Sequence, residues 1–308
     1  MRKALLPLLL LCAVPASAAP RAVWTWEKDS YEILESTAAA AAAEDFLRSK
    51  GIDTIFLYAD SYGGRCLITE KPELYRAFIK DLHSRGMRAY ALLGSAYLHT
   101  EAYVLPAKRR EAAAMLKRVL RYNAAAKPGE RFDGVNLDIE PHILDEWDHS
   151  RDRLLLDFLD LGRALMAEKR RSGLALKIGP AIPFWLDGIK LKWNGRLKPV
   201  SEHTQDIYDY VALMDYRDHA DGRDGMVRHA SNELAYAGRR GRKVMIGVET
   251  TPNEIKKVSF NHLTEADMER ELAAAEAAFA KKPAFAGFVI HHYRGYRVWL
   301  DRQAVNGK

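Results

Sequence analysis

Eight short segments rich in β-branched and aromatic residues alternate with longer amphipathic segments along most of this chain of 308 residues. The predicted strands are 22–26, 54–59, 88–94, 134–140, 175–182, 210–216, 244–250 and 286–293. The predicted helices include 30–49, 71–85, 107–123, 151–171, 224–237 and 264–280, and 183–209 is predicted as a long loop with at most a weak helix. Eight strand–helix repeats predict an α/β fold, a single (β/α)8 TIM barrel. The active site of such a barrel lies at the C-terminal ends of its strands.

The first 18 residues have the pattern of a secretory signal peptide. Two basic residues precede an apolar segment, and Ala16, Ser17 and Ala18 form a small-residue cleavage site. The apolar segment is shorter than the roughly 20 residues that span a bilayer, although an uncleaved anchor is the alternative. We therefore expect a signal peptide over 1–18 and the barrel over 19–308. The protein would then be periplasmic or secreted, with no membrane span after cleavage.

The rest of the composition argues against several other classes of protein. Cleavage after residue 18 leaves Cys66 as the only cysteine, so an internal disulfide cannot form. The formal net charge is +6, but no basic stripe interleaved with aromatic residues suggests nucleic-acid binding. The chain has no P-loop, dinucleotide-binding glycine fingerprint or G-x-S-x-G motif. We expect a monomer that needs no cofactor.

The segment 132–141, FDGVNLDIEP, carries the clearest chemical signal. Because side chains alternate along a strand, Asn136, Asp138 and Glu140 share one face and apolar residues the other. The polar face would point into the barrel, where buried carboxylates are costly unless they are paired or used. Two neighbouring carboxylates raise one pKa, which keeps an acid protonated for glycosidic cleavage. The alternative is that both acids pair with core arginines or reach solvent at the strand tip.

Three segments resemble the motifs of one family. Residues 133–140, DGVNLDIE, resemble the D-G-x-D-x-D-x-E signature of glycoside hydrolase family 18, which lies on the fourth strand of its barrels. The family's sixth strand ends in M-x-Y-D, where 214–217 reads MDYR. Its eighth strand commonly reads G-x-x-x-W, where 287–291 reads GFVIH. The chain is identified as a distant member of this superfamily of chitinase-like and peptidoglycan N-acetylglucosaminidase-like TIM barrels.

The resemblance implies a catalytic role for three of the matching residues. Glu140 would be the general acid/base. Asp138 would orient and stabilise the N-acetyl group of the substrate, whose carbonyl oxygen attacks the anomeric carbon in place of a protein nucleophile. Tyr216 would donate a hydrogen bond to that carbonyl. Met214 would line the sugar pocket.

Three residues depart from the family pattern. Asn136 replaces an aspartate, which removes a charge that could shuttle a proton with Asp138, although some peptidoglycan-acting members also have Asn there. Arg217 replaces the aspartate after the tyrosine. His291 replaces a tryptophan that floors the cleavage subsite, so sugar-stacking surface is lost. We retain Asn136 and His291 as candidate substrate-binding residues.

Five further candidate substrate-binding residues lie at predicted strand ends or on the long loop: Trp26, Tyr58, Asp60, Trp185 and Glu249. The two tryptophans could stack on sugar rings, and core packing is the alternative for Trp26. Glu249 could act as a second carboxylate that faces Glu140, or form a salt bridge at the strand tip.

No metal site is expected. His291 and His292 are neighbours on a predicted strand, so they would point to opposite faces and could not chelate one ion together. His219 lies near Asp218 and Asp221, a cluster that is more typical of a solvated turn.

The leading hypothesis is an exported glycoside hydrolase that cleaves an envelope or extracellular polysaccharide containing N-acetylhexosamine, with Glu140 as general acid/base. One alternative is a chitinase-like lectin, a carbohydrate-binding barrel with weak or lost catalysis. Another is a barrel glycosidase of a different family that uses Glu249 as its second carboxylate. The expected partner in each case is a polysaccharide or oligosaccharide.

Overall fold

A computed structural model of the chain describes residues 18–306, so the predicted signal peptide lies almost entirely outside the described residues. The strands are β1 Arg21–Thr25, β2 Thr54–Tyr58, β3 Arg88–Leu93, β4 Gly134–Leu137, β5 Lys177–Pro183, β6 Lys190–Trp193, β7 Arg196–Pro199, β8 Tyr210–Met214, β9 Lys243–Glu249 and β10 Phe285–His291. The α-helices are α1 Glu27–Glu35, α2 Thr37–Ser49, α3 Leu67–Glu70, α4 Pro72–Ser84, α5 Arg109–Ala125, α6 Trp147–Ser172, α7 Val200–Ile207, α8 Met226–His229, α9 Ser231–Arg240, α10 Glu265–Phe279 and α11 Tyr293–Asn306. Short 3-10 turns connect several of them.

Eight strands close into a barrel in the order β1-β2-β3-β4-β5-β8-β9-β10, and β10 pairs with β1. All eight pairings are parallel. At the closing seam, Ala22 lies opposite Val289, and the Phe288 amide donates a hydrogen bond to the Pro20 carbonyl at 2.9 Å. Arg21 adds an ion pair with Glu269 of α10. The predicted (β/α)8 barrel is confirmed.

Aromatic rings fill the barrel interior. The ring of Trp24 lies 5.8 Å from that of Phe56, Phe56 stacks on Tyr90 at 5.5 Å, and Tyr90 contacts Tyr210 at 5.8 Å. Gly134 of β4 leaves room for them, because a Cβ there would come within 2.4 Å of the Tyr90 ring. The interior is therefore a packed core, as is usual for this fold, and the open surface lies at the strand ends.

The segment predicted as a long loop is largely regular, so that prediction was wrong. β6 and β7 form an antiparallel hairpin in which Trp193 lies opposite Arg196. Asn194 and Gly195 between them have positive φ angles of 48° and 76°, as a two-residue Asn-Gly hairpin turn requires. The Asn-Gly pair between apolar–polar alternations is a sequence signal for a hairpin. α7 follows the hairpin.

Several element boundaries also differ from the prediction, among them the ends of β4 and β8, which lie two or three residues earlier than predicted. The predicted helix over 30–49 is two helices, because Ser36 has extended backbone and its side chain caps α2 by accepting a hydrogen bond from the Ala39 amide. The last strand ends at His291, and α11, which was not predicted, begins at Tyr293. Among the described helices, none combines the length and apolar character that crossing a membrane requires.

Candidate active site

The two carboxylates of the motif lie just beyond the C-terminal end of β4. The strand ends at Leu137, and Glu140 has extended backbone directly before a 3-10 turn over Pro141–Ile143. The Asp138 amide continues the ladder by donating to the Leu93 carbonyl at 2.7 Å. Asp138 is 7% exposed, and the side chain of Glu140 is 18% exposed. Both acids therefore lie at the open end of the barrel but are largely shielded from water.

Gly94 allows the end of β3 to approach this segment. Its φ is +95°, and a Cβ on it would lie 2.2 Å from the carbonyl oxygen of Asp138. No side chain larger than hydrogen fits there without moving the backbone of Asp138. The position of the motif thus depends on a glycine in a neighbouring strand end.

Burial makes both carboxyl groups weaker acids. It raises the pKa of Asp138 well above its ordinary value, and the charge of Glu140 raises the Asp138 pKa further. Burial also raises the pKa of Glu140 to about 7, with a smaller contribution from the charge of Glu101. A carboxyl group that keeps its proton near neutral pH is what general-acid catalysis requires.

An aromatic cluster lies beside Glu140. His142 Nε2 is 3.2 Å from Glu140 Oε2, and burial lowers the pKa of His142 to about 4, so this imidazole is neutral at pH 7. The His142 ring contacts that of Trp185 at 5.3 Å, and Trp147 contacts Trp185 at 5.9 Å. Trp185 therefore packs against the histidine that contacts Glu140. His142 and Trp147 were not predicted.

Tyr216 and Met214 lie at the end of β8. Tyr216 is half-buried, and its ring is 5.7 Å from that of His291. Burial raises the pKa of Tyr216 well above its ordinary value, and the charges of Glu249, Glu140 and Asp138 raise it further. The Tyr216 hydroxyl therefore keeps its proton at neutral pH. Met214 is half-buried in the same strand.

A hydrogen-bonded chain joins three of the predicted substrate-binding residues. Glu249 Oε2 lies 2.6 Å from His291 Nδ1, and the indole N–H of Trp26 donates to His291 Nε2 at 3.3 Å. Because indole nitrogen is only a donor, Nε2 accepts and Nδ1 carries the imidazole proton. Glu249 Oε1 accepts from the amides of Thr250 and Thr251, at 2.7 Å each.

These contacts determine the protonation state of Glu249. Burial acts to raise its pKa, but the hydrogen bonds from His291 and Thr251 outweigh burial and lower it. Glu249 is thus an ionised, fully hydrogen-bonded acceptor. This geometry fits a structural role at the strand tip better than a second catalytic carboxylate.

The expectation that His291 and His292 point to opposite faces was wrong. β10 ends at His291, so the alternation of side chains ends there, and α11 begins one residue after His292. The rings of His291 and His292 lie 4.9 Å apart. Within residues 18–306, no group of three His, Cys, Asp or Glu side chains is placed to hold a metal ion. His219 instead contacts Asp218 Oδ1 at 2.7 Å.

Asn136 lies fully buried below Asp138. Its Oδ1 accepts from the indole N–H of Trp24 at 2.8 Å, and its Nδ2 donates to the Gly179 carbonyl at 3.3 Å. A carboxylate in this position could not donate to Gly179. The hydrogen bond to Gly179 therefore needs the amide of Asn136 and could not be made by an ionised aspartate.

Restoring the family residue should consequently destabilise the fold. Asn136→Asp leaves the Gly179 carbonyl without its donor and buries a charge, which we expect to cost about 3 kcal/mol of unfolding free energy at pH 7. Burial raises the pKa of the new carboxyl in the folded state, so the loss should shrink as the pH falls and the group takes up a proton. Urea unfolding at pH 7 and at acid pH measures both effects. Asn253→Asp, at an exposed loop position, is the control.

The polar groups of Tyr58 and Asp60 already bond to other groups of the protein. Tyr58 is almost fully buried, and its hydroxyl donates to the Ser61 carbonyl at 3.0 Å. Asp60 is buried and forms an ion pair with Arg118. The structure therefore does not bring these two side chains together with Asp138 and Glu140 as free sugar-binding groups.

Arg217 does not take the place of the family's aspartate. It is largely buried, its Nη1 donates to the Tyr216 carbonyl at 2.7 Å, and its Nη2 donates to Asp224 at 2.9 Å. The guanidinium also lies over the ring of Phe184, 5.1 Å from the centroid. Arg217 thus fastens the loop after β8 and supports Tyr216 through its backbone.

Two acids near the site were missed by the sequence analysis. Glu27 follows Trp26 at the start of α1 and is 6% exposed, and Glu101 lies in the 3-10 turn Thr100–Val104 and is 9% exposed. Glu27 directly follows Trp26, which was selected because it ends a predicted strand. That position was the sequence signal by which Glu27 could have been found. Glu101 falls in a segment with no predicted element, and nothing in the sequence indicated it.

The architecture resembles solved glycosidases. A family 18 chitinase from Cycas revoluta, solved with (GlcNAc)3, superposes with a TM-score of 0.52 at 12% identity, over 94% of this chain and 99% of that one. This chain is similar to that chitinase in fold. An exo-β-1,4-mannosidase from Opitutaceae bacterium strain TAV5 has a TM-score of 0.55 at 13% identity, over 90% of this chain and 52% of that one.

The likeness is one of fold and not of sequence. This chain spans 64% of catalytic domain 2 of a Group II chitinase from Ostrinia furnacalis, with 75% of its own length covered, at 15% identity and a TM-score of 0.47. No protein-family model and no curated protein sequence matches the chain. The barrel is therefore glycoside-hydrolase-like in architecture, and its activity has to be argued from the site.

Proposed function

We propose that this protein is an exported glycoside hydrolase that cleaves an envelope or extracellular polysaccharide containing N-acetylhexosamine. The observation that supports it most is the placement of Glu140, a shielded carboxyl group with a pKa of about 7, beside Asp138 at the open end of a chitinase-like barrel. Export follows from the signal-like pattern of residues 1–18.

The geometry suits a substrate-assisted reaction. Glu140 gives its proton to the glycosidic oxygen as the bond from that oxygen to the anomeric carbon breaks. The acetamido carbonyl oxygen of the same sugar forms the new bond to the anomeric carbon, with Asp138 against the acetamido N–H and Tyr216 donating to the carbonyl. Water then attacks the anomeric carbon as the bond from that carbon to the acetamido oxygen breaks, and it gives a proton to Glu140. The acetamido group is restored, and each product carries a free hydroxyl.

The pH dependence of the rate tests the role of Glu140. Only the protonated carboxyl can act as the acid, so kcat/KM should fall as the pH rises through about 7, the pKa of Glu140. Well above that pH, the fall should approach roughly tenfold per pH unit. Initial rates of reducing-end release on both sides of neutrality measure it. A flat profile through neutrality would contradict the assignment of Glu140 as the acid.

A thiazoline analogue of the cyclised acetamido intermediate separates this mechanism from the two alternatives. We expect it to inhibit hydrolysis strongly, because it imitates the bond that the acetamido oxygen forms. Hydrolysis that is insensitive to it would favour a two-carboxylate glycosidase, although Glu249 is already committed to His291. Binding of oligosaccharides without any reducing-end release would favour a lectin, which the loss of the family's tryptophan at His291 would suit.

A further inference from the structure

Tyr216 lies beyond the paired part of its strand. Met214 is the last residue of β8 and has partners in β5 and β9, and the Asp215 amide turns back to donate to the Leu213 carbonyl at 2.8 Å. The hydrogen-bonded ladder of the barrel therefore does not fix the backbone that carries the Tyr216 ring. That backbone depends on the contacts of the residues on either side of it.

On one side of Tyr216, Arg217 ties the backbone to an anchored aspartate. Arg217 donates both to the Tyr216 carbonyl and to Asp224, which lies in the turn before α8. Asp224 also accepts a hydrogen bond from Lys257 Nζ at 2.6 Å. The bonds from Arg217 and Lys257 hold the pKa of Asp224 well below its ordinary value, so this carboxylate is a fixed anion.

On the other side of Tyr216, Asp215 is fully buried and bonds to His229. Burial raises the pKa of Asp215 to about 6, so at pH 7 the carboxyl group is mostly ionised and its Oδ1 accepts from His229 Nδ1 at 2.8 Å. His229 ends α8, and its Nε2 lies 3.1 Å from Asp224 Oδ1. Asp215 and Arg217 are thus both linked to Asp224, one through His229 and the other directly. We call Asp215, Arg217, Asp224 and His229 the Tyr216 network.

The ring of Phe184 restricts this network further. Phe184 follows β5, and its ring lies parallel to that of His229, with 3.9 Å between the centroids and 7° between the planes. The Arg217 guanidinium lies over the same Phe184 ring, 5.1 Å from its centroid. His229 therefore cannot rotate away from Asp215 without losing the stacking contact.

Stability alone does not account for the buried pair of Asp215 and His229. Asp215 Oδ2 has no hydrogen-bond donor among residues 18–306, and a buried ion pair often stabilises a fold no better than apolar side chains of the same size. Such a pair does hold its two partners in one arrangement, because either partner is costly to bury alone. The network meets the chain immediately before and after Tyr216, so the arrangement that it holds includes the direction of the Tyr216 ring.

We propose that His229 is a positioning residue of the proposed hydrolase, which acts through Asp215 to hold the Tyr216 hydroxyl where the acetamido carbonyl of the substrate binds. The inference rests on the proposed function, because it needs the role that Tyr216 has there. A displaced hydroxyl would let the carbonyl turn away from the anomeric carbon, so the loss should appear in kcat and not in KM.

Two substitutions at His229 separate its two contacts. The side-chain nitrogen of asparagine lies near the position of Nδ1, and that of glutamine near the position of Nε2. His229→Asn therefore keeps a donor for Asp215, whereas His229→Gln keeps the contact with Asp224 and loses that donor. We expect His229→Gln to lower kcat on the order of tenfold with KM nearly unchanged, and His229→Asn to restore most of the rate. Initial rates of reducing-end release measure both.

A double-mutant cycle with Tyr216→Phe shows whether the effect passes through Tyr216. Groups that act through one another are not additive, so His229→Gln should cost little further rate once the Tyr216 hydroxyl is absent. An equal loss with and without the hydroxyl would overturn the proposal, because a general effect on the fold would act on both proteins. The matched control is His203→Gln, at a buried histidine of α7 that bonds to the Leu191 carbonyl, and it should keep the parent kcat.

Asp224→Ala is a second variant that protects the test against loss of the fold. The Asp224 side chain is 41% exposed, so its removal takes away the far end of the network without emptying a buried site. Its loss of kcat should also disappear in the Tyr216→Phe protein, and an additive loss would contradict the proposal.

A measurement without hydrolysis separates the positioning of Tyr216 from the proposed function. In protein with isotope-labelled tyrosine rings, the NMR resonance of Tyr216 is the one that is missing from Tyr216→Phe. We expect this resonance to shift in His229→Gln and to keep its position in His229→Asn and His203→Gln. An unmoved resonance in His229→Gln would overturn the proposal. The expected shift together with no hydrolysis by the wild type would reject the proposed hydrolase and keep His229 as the residue that positions Tyr216.

Discussion

Replacement of Glu140 by glutamine is expected to abolish turnover while leaving sugar binding measurable. Glutamine has the same shape as glutamate but holds no transferable proton, so it removes the acid that protonates the leaving oxygen. General acid–base catalysis contributes roughly a hundredfold to ten-thousandfold, and we expect a loss on the order of a thousandfold in kcat. Reducing-end release and oligosaccharide binding, measured on the same preparation, separate chemistry from affinity.

The control for Glu140→Gln is the same exchange at another buried glutamate. Burial raises the pKa of Glu233, on α9, to about 8, so both positions exchange a protonation-prone carboxyl for an amide. Glu233→Gln should keep both turnover and binding. Full activity in Glu140→Gln would reject Glu140 as the acid, and equal losses in both variants would point to a general effect on folding.

The second large effect is expected at Gly94, which packs against the backbone of Asp138. In Gly94→Ala, the new Cβ would lie 2.2 Å from the Asp138 carbonyl oxygen, so the end of β3 or the end of β4 has to move. We expect a loss of about 3 kcal/mol or more of unfolding free energy. Because a displacement of about 1 Å in a catalytic group can cost roughly a hundredfold in rate, activity should fall by a similar factor in the molecules that still fold.

Gly86→Ala is the control that separates the steric clash with Asp138 from the cost of an alanine at a positive φ angle. Gly86 has a positive φ of +74° like Gly94, but a Cβ there would meet no atom within 4 Å. It should therefore cost only the roughly 1 kcal/mol of a left-handed alanine and leave the rate unchanged. Urea unfolding and initial rates measure both variants. Similar behaviour of the two variants would mean that contact with Asp138 does not matter.

The barrel could be predicted from the sequence because strand–helix alternation is a local signal. The positions of Asp138 and Glu140 could be predicted because the motif that carries them follows the fourth barrel strand, although both lie beyond the last residue of β4. The hairpin of β6 and β7 was also readable, since Asn194 and Gly195 form the turn that such a hairpin needs. Its strands are short and exposed on one side, which weakens the pattern.

The surroundings of the pair could not be predicted, because they come from residues that are distant in sequence. The neutral state of His142 depends on burial beside Trp185, some forty positions away. The hydrogen bond between Glu249 and His291 depends on the register of β9 with β10. Glu101 reaches the site only because a turn after β3 folds against the turn after β4.

The seam between β1 and β10 has a consequence for how the molecule is made. Ala22 pairs with Val289, and the Pro20 carbonyl accepts a hydrogen bond from the Phe288 amide. One edge of the first barrel strand therefore stays unpaired until the last strand is present. Until β10 has been synthesised, β1 and β9 each leave an unpaired edge that can recruit another chain. A polypeptide that emerges N-terminus first therefore remains an open, aggregation-prone sheet until its final segment arrives. Any factor that shields those two edges during synthesis or transport would act on this intermediate and not on the finished barrel.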